Sequence, residues 1–326
     1  MKALICEAYG PIDNLVIKDI PSPVPGARQL LIEVRAAAVN FPDALMVQGL
    51  YQVKPPLPFT PGAEISGIVK AVGAEVKHFK AGDRVIAIVG QGGFAEECLA
   101  DAAKTMSLPA GMDFETGAAL VLTYCTSLHA LRDCGHLQAG ETLVVLGAAG
   151  GVGIAAIEIG KAMGARVIAA ASSDDKLELC KRVGADDTVN YSTENLKDRI
   201  NELTAGKGAD VVYDPVGGPY TEPALRALAW HGRLLVIGFA AGDIPKIPLN
   251  LALLKERSIV GVYWGDSTKH DPAGHLANLH QLHAWFAAGT IRPVVSEHFS
   301  LAAAADAIAK IANRQVKGKI VVLPNT

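Results

Sequence analysis

The 326-residue chain reads as an α/β protein, with a doubly wound parallel sheet inserted into a partly open, β-rich domain. Three observations predict this. Strand and helix patterns alternate from about residue 125 to 265, the mark of a parallel sheet covered by helices. Ahead of that region, short strand-like runs are cut by Pro21, Pro23, Pro25, Pro55, Pro56, Pro58 and Pro61, as in a barrel or sandwich. Beyond it come two helical runs and a final apolar strand pattern, KIVVLP.

Taken in order, MKALICEAYG has one lysine and an apolar run that stops at Glu7, so it is an opening strand rather than a signal peptide. LLIEVRAAAV, ISGIVKAVG and DRVIAIV follow as strands. The alternating region runs LVVLG, a helix to Met163, RVIAAA, a helix from Asp174 to Val183, DTVNY, a helix from Glu194 and DVVYD. A helix near 220 to 229, then RLLVIGF and SIVGVYW, complete it. HLANLHQLHAWFAAG and LAAAADAIAKIANR are helices, the second closed by Lys317-Gly318. This tail is expected to pack back on the first region, giving domains of 1–124 plus 266–326 and of 125–265.

Half of the residues are apolar, enough for a core in each domain. A net charge of −3, with no Lys/Arg cluster interleaved with aromatics, argues against nucleic acid or an anionic membrane as partner. No run reaches the roughly 18 apolar residues of a membrane helix. Cys6, Cys98, Cys125, Cys134 and Cys180 are odd in number, scattered and never spaced C-x-x-C, which points to a reducing, cytoplasmic compartment.

Ala148-Ala149-Gly150-Gly151-Val152-Gly153 joins the strand ETLVVLG to a helix. Glycines there let backbone N–H groups approach a pyrophosphate, and the helix N-terminus adds favourable partial charge. The usual fingerprint wants an acidic residue about twenty positions on, for the adenine ribose. Here the next strand ends in Ser172 with no carboxylate at its tip, which argues for NADPH. Ser172, Lys176 and Tyr191 offer a hydroxyl, a full positive charge and an aromatic hydroxyl for a 2′-phosphate. Asp174 and Asp175 lie past the strand tip, where a helix N-terminus stabilises carboxylates.

Catalytic zinc needs three converging ligands, and His78, Glu64, Glu96, Glu97 and Cys98 show no ligand spacing. His275, His280 and His283 share a helical run with Leu276, Leu279 and Leu282, so an exposed helix face explains them better than a metal. No metal is expected. Asp43, beside Pro42, reads as a turn-stabilising residue.

With these features together, the chain resembles the zinc-free quinone oxidoreductases, the zeta-crystallin-like branch of the medium-chain dehydrogenase/reductase superfamily. The resemblance covers essentially the whole length: AAAVNFPDALMVQGLY (36 to 51), PGAEISGIVKAVG (61 to 73), FKAGDRV (79 to 85), LTYCTSLHAL (122 to 131), GAAGGVG (147 to 153) and VKGKIVV (316 to 322). In zinc alcohol dehydrogenases of the superfamily a cysteine ligand lies where this chain has Asn40, and a histidine ligand where it has Ala63.

The resemblance implies a Rossmann NADPH-binding domain, a GroES-like catalytic domain and a homodimer formed through the nucleotide domain, with SIVGVYW as the interface edge. It implies that Asn40 contacts the nicotinamide region, that Thr126 supplies a hydroxyl, and that Ala149, Gly150, Gly151 and Val152 cradle the pyrophosphate. Lys176 and Tyr191 match positions that select the 2′-phosphate; Ser172, Gly238, Phe239 and Lys319 complete the cofactor set. Tyr51, closing Gln48-Gly49-Leu50-Tyr51, matches a tyrosine that protonates product in the enoyl-thioester reductases, and reads equally well as cleft wall. Cys125 reads as a packed thiol or a site of covalent inhibition.

The activity implied is NADPH-dependent hydride transfer to quinones or related conjugated carbonyls without zinc. The alternatives are a 2-alkenal or enoyl-thioester reductase, and an NADPH-binding protein with little turnover, of the crystallin kind.

Overall fold

The computed structural model describes residues 1–325 and divides into two compact units: Met1–Leu122 with the chain from Val294 onward, and Thr123–Pro293. The first unit begins with β1 (Lys2–Ile5), β2 (Val16–Asp19) and β3 (Gln29–Ala38), followed by α1 (Phe41–Val47). Then come β4 (Glu64–Val72), β5 (Arg84–Ile88), β6 (Glu97–Asp101), β7 (Thr105–Ser107) and α2 (Phe114–Leu128). Seven of its ten β3 residues are buried, as expected of a strand covered on both faces. Register shifts between Leu31 and Ile32 and between Val34 and Ala36 bend β3. Its first half can therefore pair with β6 while its last two residues face a later strand, which curls the sheet into a partly open barrel.

The second unit holds β8 (Thr142–Leu146), α3 (Gly151–Ala162), β9 (Arg166–Ala171), α4 (Asp174–Arg182), β10 (Asp187–Asn190) and α5 (Leu196–Leu203). It continues through β11 (Ala209–Asp214), α6 (Thr221–Arg226), β12 (Leu228–Val236), α7 (Asn250–Leu253), β13 (Ser258–Gly261), α8 (Trp264–His270) and α9 (Pro272–Ala287). Its sheet runs β10-β9-β8-β11-β12-β13 with every pair parallel. This is the doubly wound order, whose direction of winding reverses between β8 and β11. All five residues of β8 are buried, which explains its unbroken apolar reading.

The helix expected near 220 to 229 is shorter: α6 stops at Arg226 because Leu228 is drawn into register with Ala209 of β11. The chain returns to the first unit as β14 (Val295–Ser300), α10 (Ala304–Ala312) and β15 (Lys319–Leu323). The mixed sheet then runs β14-β15-β3-β4-β5-β7, with α10 burying Ala304, Ala307 and Ile308 in its core.

The expected boundary at 266 is therefore corrected to 294. Residues 266–293 stay with the second unit because α9 buries Asn278, Leu279 and Leu282, Asn278 donates to Asp133 (2.8 Å), and Arg292 N–H donates to Glu158 (3.0 Å). The exposed-face reading of the α9 histidines is also corrected in part: His280 is exposed, whereas His275 and His283 are half-buried and burial holds their pKa below the ordinary imidazole value. Among the described residues, no helix is long and apolar enough to cross a membrane.

Candidate active site

In an open parallel sheet, ligands meet the carboxyl ends of the strands where the winding reverses; here that is the end of β8 beside the end of β11. The turn after β8 is tight. Gly147 has φ +56°, Gly150 N–H donates to its carbonyl (3.0 Å), and Ala148 N–H donates to Ala170 (3.0 Å). A Cβ at Gly147 would stand 2.8 Å from Val216 in the loop after β11, so glycine permits the two loops to touch. A Cβ at Gly153 would lie 2.6 Å from the Gly147 and Ala148 carbonyls, so this residue seats α3 against the turn.

Gly150 is the N-cap of α3, and no side chain caps the helix there. The first-turn N–H groups of Gly151, Val152 and Gly153 have no carbonyl in a preceding turn, and no acidic side chain occupies that turn. Such an end suits an anion. Ala149 has only a methyl side chain, so only its backbone can hydrogen-bond a ligand. Ser127, one residue beyond Thr126 on α2, donates to Val152 O (3.0 Å) and meets the Tyr213 hydroxyl (2.9 Å). That bond carries the Thr126 turn of α2 to the first turn of α3.

At the adjacent strand ends, Lys176 on α4 donates to the Ser172 hydroxyl (3.3 Å), and Tyr191 N–H donates to Ala171 O (3.1 Å). The structure thus brings Ser172, Lys176 and Tyr191 together. The Tyr191 ring lies 4.4 Å from that of Tyr220, beside a cavity of about 540 Å³ that Lys197, Arg226 and Lys246 also line. Asp174, in the first turn of α4, accepts from Asn190 Nδ2 at the end of β10 (2.8 Å), and Asp175 accepts from the hydroxyl of Ser173, the residue before the helix.

Gly238 and Phe239 follow β12 beside the loop after β11. Ile237 N–H donates to Asp214 O (2.9 Å), and a Cβ at Gly217 would stand 2.8 Å from the Phe239 ring. Asp214 holds that loop by accepting from Val216 N–H, Gly217 N–H (both 2.9 Å) and the Thr221 hydroxyl (2.6 Å).

The first unit holds a second polar constellation. Asn40 caps α1, its N–H donating to Asp43 Oδ2 (2.8 Å), so Asp43, read as a turn-stabilising residue, holds the first turn of a helix instead. Lys319 Nζ, from β15, donates to Asn40 Oδ1 (2.5 Å) and Val39 O (3.3 Å) and lies 3.8 Å from Glu64 Oε2. Asn40 Nδ2 reaches Glu64 Oε2 at 3.4 Å, and Leu122 N–H donates to Glu64 Oε1 (2.7 Å).

All four side chains are buried, with Lys319 4% exposed, so its ammonium faces into the first unit. Burial lowers the Lys319 pKa, an effect opposed by Glu64 and Asp43; burial raises that of Glu64, opposed by Lys319. Burial likewise pushes Asp43 up to about 7, against its bond from Asn40 N–H and the Lys319 charge. Two carboxylates share one ammonium here, and Asp43 is the member poised near neutrality.

Glu64 and Asp214 were missed as site residues in the sequence; a carboxylate at a strand end is their only signal. Tyr51 follows the C-terminal end of α1, whose N-terminal end Asn40 caps, and packs half-buried against the barrel core. Ala63 is buried beside Glu64 in sequence. Among the described residues, no group of three or more His, Cys, Asp or Glu side chains is arranged to hold a metal ion.

The two units match two known families: an alcohol dehydrogenase GroES-like domain over residues 26–119, and the family described as zinc-binding dehydrogenase over residues 151–280. With this fold, the match defines a member of the medium-chain dehydrogenase/reductase superfamily. The chain is 38% identical to the quinone oxidoreductase-like protein 2 homolog of Nematostella vectensis, over 98% of this chain and 88% of that protein. It is also 38% identical to the quinone oxidoreductase of Pseudomonas aeruginosa, over 97% and 98%. Among solved structures it resembles Escherichia coli quinone oxidoreductase complexed with NADPH, with a TM-score of 0.92 and 29% identity over 99% of this chain and 100% of that one. The chain belongs to the quinone oxidoreductase branch of that superfamily.

Proposed function

We propose that the chain is an NADPH-dependent reductase that delivers hydride to quinones or related conjugated carbonyls without zinc. The observation that carries this reading is the Asn40–Lys319–Glu64 constellation. Where zinc members of the superfamily are expected to place cysteine and histidine ligands, this chain has an amide already bonded to an ammonium and the methyl group of Ala63. Neither is a usual zinc ligand.

The uncapped N-terminus of α3 fits a dinucleotide: Gly150, Gly151 and Val152 would hold the pyrophosphate, with Ala149 contributing backbone only. Ser172, Lys176 and Tyr191 would hold the 2′-phosphate, which no carboxylate at the tip of β9 opposes. NADPH supplies the hydride when bound. In the nucleotide unit, Thr126 adds a hydroxyl and Gly238 and Phe239 a wall. In the β-rich unit, Lys319 and Glu64 fix the amide of Asn40, the residue assigned by resemblance to the nicotinamide region, so Lys319 works as a positioning residue.

With a quinone, aromatisation drives the reaction and no strong protein acid is needed. With an enone, a proton must reach the enolate, and the Tyr51 phenol is the donor proposed. A homodimer through the β13 edge is supported by the exposed Trp230, Leu253, Leu254 and Ile259 on and around that edge.

The test is NADPH oxidation, with and without a chelator, against 1,4-benzoquinone, 9,10-phenanthrenequinone, a short 2-alkenal and crotonyl-CoA, repeated with NADH. Chelator-resistant, NADPH-selective turnover of the quinones is the expected result. Preference for the alkenal or thioester would move the substrate to that class, and NADPH binding without turnover would leave only the nucleotide-binding reading.

A further inference from the structure

At its C-terminal end α2 becomes a π-helical turn, His129–Cys134, with Gly135 N–H bonded to Ala130 O at 2.8 Å. In an α-helix residues five apart point about 140° away from each other. The wider turn instead sets His129 between Asp133 and Cys134. Cys134 Sγ lies 3.4 Å from His129 Nε2, and His129 Nδ1 lies 3.0 Å from Asp133 Oδ2. Asp133 also accepts from Asn278 Nδ2 on α9 (2.8 Å) and from Arg132 Nε (2.9 Å).

An ionised carboxylate can only accept, so His129 carries its proton on Nδ1 and turns the lone pair of Nε2 to the Cys134 thiol. Nucleophile, base and orienting group stand in that order, the arrangement by which thiols and hydroxyls are activated. Single-turn π segments recur at functional sites. Nothing in the proposed reductase chemistry uses this cluster.

We infer that Cys134 is an activated thiol that adds covalently to electron-poor conjugated carbonyls, with His129 as its base and Asp133 as the residue that orients His129. In the step, the thiol proton passes to His129 Nε2 as sulfur bonds to the β-carbon. The π electrons of the double bond move to the carbonyl oxygen and the proton returns to the α-carbon; for a quinone it returns to the enolate oxygen, and the hydrogen on the sulfur-bearing carbon moves to the second carbonyl oxygen, giving the hydroquinone thioether. A thioether forms and no outside oxidant or reductant is needed.

Electrostatics keep Asp133 ionised as the orienting group. Burial alone would raise the Asp133 pKa, but bonds from Arg132, Asn278 and His129 outweigh it and hold the group below its ordinary value. Burial, with the nearby Asp133 charge, raises that of Cys134, so the thiol rests protonated and loses its proton only as it attacks. The other groups facing the turn are His275 on α9, whose pKa burial and His129 lower, and Arg233 on β12, which bonds Gly135 O (3.0 Å) and pairs with Glu141. Cys134 is partly exposed, whereas Cys6, Cys98, Cys125 and Cys180 are buried; burial pushes Cys98 and Cys180 up to about 12.

The test is brief labelling of the full chain with equimolar N-ethylmaleimide, and separately with 1,4-benzoquinone, read by peptide mass spectrometry across a range of pH. Cys134 should be modified first, its rate rising below the range where thiols lose their proton. His129→Gln should slow labelling about 10² to 10⁴-fold at neutral pH, Asp133→Asn less, and Cys134→Ser should abolish it at this site. First modification of another cysteine, or a Cys134 rate that follows an ordinary thiol titration, would overturn the inference. The wild-type pH profile decides this even if His129→Gln fails to fold. These readouts are independent of reductase turnover, so either idea can fail alone.

Discussion

In the proposed function, Lys176 is the one side chain that chooses between two cofactors. Its ammonium, anchored 3.3 Å from Ser172, would meet a 2′-phosphate and find no partner on a ribose hydroxyl comparable in charge. Lys176→Ala should raise KM for NADPH about 10 to 100-fold and leave NADH unchanged, the scale of a charged hydrogen bond worth roughly 1.5–3 kcal/mol; equal losses would remove Lys176 from the phosphate site. Tyr51→Phe should slow enone reduction about 10² to 10⁴-fold and spare quinones, and if neither rate moves the ring is wall. At this scale the sequence was most informative where a residue lies at a strand tip, as Ser172 and Tyr191 do, because a strand end can be recognised locally. The bond from Lys319 to Asn40 joins residues 279 positions apart. Only the pairing of β15 with β3 brings them together, and no local pattern carries that register.

Elements show what the glycines of the cradle are for. A methyl group at Gly153 would press on two carbonyls at 2.6 Å, whereas at Gly150 it would meet only one at 3.4 Å, with φ −78° open to any residue. Gly153→Ala should therefore cost about 1–3 kcal/mol, seen as a lowered Tm by calorimetry, while Gly150→Ala should leave Tm nearly unchanged. The strand–glycine–helix unit was legible because each part has its own signal. The partner of α9 was not, since an amphipathic face says that a helix is covered without saying by what. Likewise α6 loses its last residues to a strand because parallel pairing to β11 overrides local helix preference.

At the scale of the whole molecule, two of the buried carboxyls, Asp43 and Glu158, are pushed up to about 7 chiefly by burial. Glu158 accepts from the Tyr124 hydroxyl (2.6 Å) and Arg292 N–H. In the unfolded chain such groups ionise near pH 4, so between about pH 4.5 and 7 only the folded chain keeps these protons. Their contribution to stability is fully present below that window and is lost as pH rises through it, at up to roughly 1.4 kcal/mol per pH unit for each group. Glu158→Gln, whose amide can still accept from Arg292 and donate to Tyr124, should show a smaller fall in Tm than the wild type between about pH 5.5 and 7.5. Light scattering coupled to size exclusion should give a dimer, and Ile259→Lys on the exposed β13 edge should shift it to monomer.

The discontinuous sheet of the first unit has a consequence for biosynthesis. As the chain leaves the ribosome, β3 emerges early, but its neighbour β15 follows some 280 residues later. At about 5–20 residues per second that interval lasts from roughly a quarter of a minute to a minute. Throughout it, the Ala37–Ala38 end of β3 can pair with β4 on one edge but leaves the other edge open, and Glu64 lacks its ammonium. The nucleotide unit, continuous in sequence, can close before the β-rich unit is complete. The nascent β-rich half is then the segment most in need of a chaperone, and any premature stop before β15 leaves an adhesive sheet edge beside a carboxylate without its counter-ion.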